Sequence, residues 1–154
     1  MNFLTIFCFF VNYSLLIHSC SNSEITNQSL EKFPGDTLKV IRLNKLGYNS
    51  RLIDAKQTLA YANEALVLAK KLNYLNGIGE AYRIKGIGAF YLNQRENAIE
   101  YYLYALSNFK ENNNKEGEAK VYNNIGALYM DVDFDKSLGY FKKSLKIAQN
   151  LNAV

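Results

Sequence analysis

The chain has 154 residues, 49% of them hydrophobic and 14% aromatic, and a formal net charge of +4. That length fits one domain plus a leader, and that apolar content is enough for a packed core. The single histidine is His18 and the only cysteines are Cys8 and Cys20. From Ser21 onward the chain therefore lacks the side chains of Cys or His nucleophiles, His general bases and His/Cys metal sites. Its Lys and Arg are scattered and interleaved with Glu rather than gathered on one stripe, which argues for a solvated surface and against a nucleic-acid partner.

In chain order, residues 3–17 come first and are strongly apolar, with Phe3-Leu4-Thr5-Ile6-Phe7 and Leu15-Leu16-Ile17. The run is shorter than the ~20 apolar residues of a membrane span and has the length of a secretory signal core. Residues 1–20 thus read as a signal peptide or lipoprotein leader. Ile17-His18-Ser19-Cys20 resembles a bacterial lipobox, which makes Cys20 the candidate lipidation site; ordinary cleavage near Ser19–Ser21 is the rival. No Lys or Arg precedes Lys32, so the positive start of a signal is missing. The expected address is exported, either periplasmic or membrane-anchored, with membrane contact only through the leader or a lipid. Residues 21–36 are a polar tether, and Pro34-Gly35-Asp36 is the expected entry turn, with Asp36 or Thr37 capping the first helix.

Residues 37–154 repeat themselves, in copies at about 37–75, 76–114 and 115–151. Gly47, Gly86 and Gly126 recur at intervals of 39 and 40 residues, and Ala65-Leu66, Ala105-Leu106 and Ser144-Leu145 at 40 and 39. Within each copy the small and bulky residues are spaced by threes and fours, the period of helices. Asn and Asp favour turns and caps. They place breaks within copies near Asn49-Ser50-Arg51, Asn93-Gln94 and Asp131-Val132-Asp133, and between copies at Asn76-Gly77 and Asn112-Asn113-Asn114. The expected helices are 37–49, 54–72, 78–92, 95–111, 116–130 and 134–150.

The order of small and bulky residues resembles the tetratricopeptide repeat. The second copy carries it as Tyr82, Gly86, Ala98, Tyr102 and Ala105; the third as Tyr122, Ile125-Gly126, Tyr129, Ser137, Phe141 and Ser144. The first, with Leu46-Gly47, Thr58, Ala62 and Ala65, is more degenerate. The period is near 40 rather than the standard ~34, and Lys85 and Ala89 stand where the family prefers Leu and an aromatic. In length the copies look like the repeat arrays in front of bacterial signalling modules. The resemblance implies an all-α fold, a right-handed α-solenoid of about three antiparallel helix pairs. It also implies a concave groove lined by the first helix of each pair. By register from the glycines that groove holds Ile41, Asn44 and Tyr48, then Arg83, Ile87 and Phe90, then Lys120, Asn123, Ala127 and Met130. Arg83 and Lys120 could hold a carboxylate there, and the mixture suits an extended or helical peptide.

Other motifs have structural explanations. Asp131, Asp133 and Asp135 alternate but lack the Gly and Glu of a calcium loop. Gly77-Ile78-Gly79 and Gly86-Ile87-Gly88 follow no strand and precede no Gly-Lys-Ser/Thr, so they are not phosphate loops. Gly88 is unexplained except by a close contact or a weak spot in its helix. Lys142, Lys143 and Lys146 are placed near the end of the last helix, where cations offset the dipole. The outer side of that helix, with Leu138 and Leu145, is expected to be partly bare. Either the chain is a fragment of a longer reading frame, or that face meets a partner or another copy of the chain, and self-association is the outcome to test.

The expected function is a non-enzymatic scaffold, without cofactor, that binds protein or peptide. The alternative is the truncated N-terminal sensor region of a bacterial two-component histidine kinase or transcriptional regulator. On the lipoprotein reading, cells fed radiolabelled palmitate will label the chain, and Cys20→Ala will abolish the label; label that persists in the variant rules Cys20 out.

Overall fold

The computed structural model describes residues 35–152. The leader, the tether through Pro34 and Cys20 lie outside these residues. Of the described residues 86% are helical and none is in a strand. Six helices follow one another: α1 Gly35–Ser50, α2 Ala55–Lys71, α3 Leu75–Tyr91, α4 Arg95–Glu111, α5 Lys115–Tyr129 and α6 Phe134–Asn152. Neighbouring helices pack consecutively, as in a helical-repeat solenoid. None of the described helices is long and apolar enough to cross a membrane.

The repeat in sequence is a repeat in burial. In α2 the buried residues are Thr58, Ala62, Ala65, Leu66 and Ala69; in α4 they are Ala98, Tyr102, Ala105, Leu106 and Phe109, each 40 positions on (98−58, 109−69). Spacings of three and four keep such a set on one helical face. Two apolar clusters result. One joins Val40, Leu43, Leu66, Ala69 and Ala81 across α1, α2 and α3. The other joins Ile84, Tyr102, Leu106, Phe109, Val121 and Ile125 across α3, α4 and α5.

Glycine sets how closely the helices approach. A Cβ on Gly86 would overlap the ring of Tyr102, and one on Gly126 would stand 2.8 Å from the ring of Phe141. On Gly47 it would meet Ile84 at 2.9 Å and the Thr58 carbonyl at 3.3 Å. Phe109 lies between Gly79 and Gly117 in the same way, at 2.7 and 2.5 Å. Gly88 has its reason here too: Leu59 of α2 would stand 2.9 Å from a Cβ. Small polar residues join in. The Ser137 hydroxyl donates to the Gly126 carbonyl and that of Ser144 to the Ala119 carbonyl, both at 2.8 Å, tying α6 to α5. Gly35, at the start of α1, and Gly139, in the second turn of α6, are the exceptions, with nothing within 4 Å of a built Cβ.

Three turns share one design. Asn73, Asn93 and Asn113 have φ of 50°, 58° and 56°, the left-handed region that asparagine tolerates. At each, the asparagine N–H bonds to the carbonyl three residues back, on Lys70, Phe90 and Lys110. The next N–H bonds to the carbonyl five residues back, on Ala69, Ala89 and Phe109. This pair of bonds is the Schellman helix stop. The expected turn at Asn76-Gly77 is therefore corrected: the turn falls at Leu72–Tyr74, because Asn73 supplies the left-handed residue. Gly77 instead lies inside α3, buried beneath Tyr74 and Val40. The first and last turns use acids instead. Asp54 accepts from Gln57 N–H and Asp133 from Lys136 N–H, each at 2.9 Å.

Two more expectations change. Helix α1 starts at Gly35, so Asp36 is in its first turn rather than before it. Helix α6 runs to Asn152 with no basic residue in its last turn, so its lysines do not offset the dipole there. Lys143 lies 5.1 Å over the Tyr140 ring instead. Lys85, at a position expected to favour Leu, lies 4.5 Å over Tyr101 and near Tyr82. Burial and then Lys70 lower its pKa, with Glu100 opposing.

Gly86→Ala should destabilise the fold by about 1–2 kcal/mol, because overpacking costs ~1–3 kcal/mol against a helix-propensity gain of ~0.5–1 kcal/mol. Urea midpoints will check this, and an unchanged midpoint is the failing result. Asn93→Gly should be nearly neutral, while Asn93→Val should cost about 1–2 kcal/mol for a β-branched residue in the left-handed region.

Candidate functional site

Each first helix of a pair turns one face toward a common cleft of about 820 Å³. Helix α1 presents Ile41, Asn44, Lys45 and Tyr48; α3 presents Glu80, Arg83, Ile87 and Phe90; α5 presents Glu116, Lys120, Asn123 and Ala127. Residues spaced by three or four share a face, which is why these sets converge. The structure thus brings together Ile41, Asn44, Tyr48, Arg83, Ile87, Phe90, Lys120, Asn123 and Ala127, nine of the ten residues that the sequence places on one groove. It leaves Met130 outside: this residue caps the C-terminus of α5, where the chain turns away, and is 51% exposed.

The side chains differ in what they have left to offer. Arg83 is buried, and its guanidinium grips Glu80 through two bonds, Nη2 to Oε1 at 2.6 Å and Nε to Oε2 at 2.9 Å. Nη1 donates to Asn124 Oδ1 of α5 at 3.3 Å. Burial works against the charge, but Glu80 outweighs it and holds the Arg83 pKa above its ordinary value. The expectation that Arg83 holds a ligand carboxylate is corrected: a carboxylate of its own helix occupies it. Lys120 pairs with Glu116 at 2.6 Å, and the hydrogen bond and attraction of that lysine hold the Glu116 carboxyl below its usual range. The pair is exposed and screened by water, so it can exchange for a ligand at little cost.

Two cations remain at the α1 end. Lys45 and Arg51 take part in none of the ion pairs among the described residues. Arg51 is braced rather than neutralised: it donates to the Tyr48 carbonyl at 2.8 Å and lies 3.8 Å over the Tyr48 ring. In the same cleft Phe90 and Tyr91 meet edge to face, with centroids 5.3 Å apart. Tyr102 reaches the cleft floor from α4. Burial pushes its hydroxyl pKa well up, so it stays protonated at neutral pH and serves as a hydrogen-bonding group rather than a base. Asn44, 4% exposed, donates to the Gly77 carbonyl at 3.3 Å and joins α1 to α3.

Several lining residues escape the sequence reading. Glu80 and Glu116 were detectable, three and four positions before Arg83 and Lys120, the spacing of helical ion pairs. Tyr102 reads as core alone. Ser144, Ala148 and Leu151 of α6 also line the cleft, and nothing in the register of the first helices points to them. No three His, Cys, Asp or Glu side chains converge among the described residues. The cleft therefore offers aromatic contact area, amides and two unneutralised cations, a set suited to recognition. No family model matches the sequence, and no curated protein matches it.

Proposed function

We propose that this chain is a non-enzymatic, tetratricopeptide-like module that binds a peptide segment of another protein in the cleft between α1, α3 and α5. The leader would export it or tether it to a membrane. The observation that supports this reading is the convergence of Tyr48, Ile87, Phe90 and Asn123 from three separate helices on one cleft. Apolar side chains there give contact area and amides can read a peptide backbone, the division of labour seen in peptide recognition. Lys45 and Arg51 favour a ligand with an acidic residue at the α1 end.

A random peptide library panned against the full chain will yield binders. Tyr48→Ala, Phe90→Ala and Asn123→Ala should each weaken them roughly tenfold or more, the loss of a central contact worth ~1.4 kcal/mol. Val67→Ala, on α2 outside the cleft and 71% exposed, should leave binding unchanged. Binders indifferent to all three cleft variants would sink the proposal.

A further inference from the structure

Helix α6 has a second face, turned away from the cleft. There Leu145 is 57% exposed and Leu138 39%, and at the helix entrance Phe134 and Val132 are 69% and 64% exposed. The corresponding leucines of α2 and α4, Leu66 and Leu106, are 8% and 9% exposed, because α3 and α5 follow them and close the core clusters. The same position is thus covered twice and bare once.

Gly139 adds an independent observation. Apart from proline, glycine is the least favourable residue inside a helix. Except for Gly35, the first residue of α1, the other helical glycines receive a neighbouring side chain in the space a Cβ would fill, whereas Gly139 meets nothing within 4 Å. Packing among the described residues gives it no reason. A further helix stacked as α5 stacks on α4 would give none either. It would cover Leu145, but the counterparts of Gly139 are Ala60 and Glu100, and both stay exposed where such stacking exists. Close approach by a helix on a different line is what remains.

The charges specify that helix. Asp135 and Lys142 are seven positions apart, two turns along one face, and neither takes part in an ion pair among the described residues. Midway between them lie Leu138 and Gly139. An identical helix laid antiparallel across that midpoint sets Asp135 against the partner's Lys142, and by symmetry Lys142 against the partner's Asp135. The same crossing brings Leu138 onto the partner's Gly139 and Leu145 toward the partner's Val132 and Phe134. A self-complementary patch of this kind closes into a two-fold dimer and stops there.

We propose that α6 is the interface with a second copy of this chain, paired antiparallel about a two-fold axis beside Leu138 and Gly139. The cleft lies on the other side of the helix, so both copies keep it open.

Sedimentation velocity of the full chain over a range of concentrations tests this, with circular dichroism confirming that each variant keeps its helices. The expected result is a monomer–dimer equilibrium. Gly139→Leu, which fills the crossing point, and Asp135→Lys, which sets four lysines together, should each weaken the dimer at least tenfold. The exchange Asp135→Lys with Lys142→Asp should restore it to within about threefold. A monomer at every concentration, a ladder of larger species, an association indifferent to Gly139→Leu and Asp135→Lys, or an exchange that fails to restore pairing would each overturn the proposal.

Discussion

The structure depends on an aromatic ring entering a notch left by glycine. Where Tyr102 meets Gly86 and Phe141 meets Gly126, two helix backbones approach more closely than any side chain on the first helix would allow. Packing at that range is near crystal density, so there is little room for the helices to rotate. The rotation matters because Gly79 and Gly86 of α3 face α4 while Arg83, Ile87 and Phe90 emerge toward the cleft. Fixing one side of the helix fixes the other. The cleft is a consequence of the notch rather than a separate design.

Polar contacts then hold the first helices at their spacing. Arg83 of α3 reaches Asn124 of α5, and Asn44 of α1 reaches the carbonyl of Gly77 in α3. Each joins residues more than thirty positions apart in sequence (124−83, 77−44). A buried charge left without its partner is far more costly than the pair is stabilising, so the Arg83 group acts as a register lock between copies. The exposed Lys120–Glu116 pair carries no such penalty. The cleft therefore has a rigid polar middle and an exchangeable rim.

How much of this was legible in the sequence differs by feature. The 40-residue spacing of glycines and small residues gave the helix pairs, and Arg95–Glu111 begins and ends where the sequence reading put it. It also gave most of the groove, since register from a packing glycine is register for the opposite face. The turn before α3 was misplaced because Asn76-Gly77 is the stronger local turn signal. Burial beneath Tyr74 and Val40 overrides it, and Asn73 stops the helix instead. Arg83 looked available because sequence shows a charge but not its burial. Ser144 reads as a packing position of the repeat, which it also is through its bond to Ala119. Ala148 and Leu151 continue its face along a second helix that the register of the first helices does not reach.

The left-handed asparagines stand 20 residues apart, at 73, 93 and 113. Each of the helices α2, α3 and α4 has 17 residues, followed by a three-residue stop. The module of construction is thus one helix with its stop, half of the repeat that the glycines mark. This limits how such a chain can change length. A single residue inserted in a helix turns everything beyond it by about 100°, carrying the notch out from under its ring and the cleft residues out of the cleft. A whole pair of modules can be gained or lost with every face kept in phase. Growth by duplication is permitted and growth by increments is not, so the stops act as the ruler of the array.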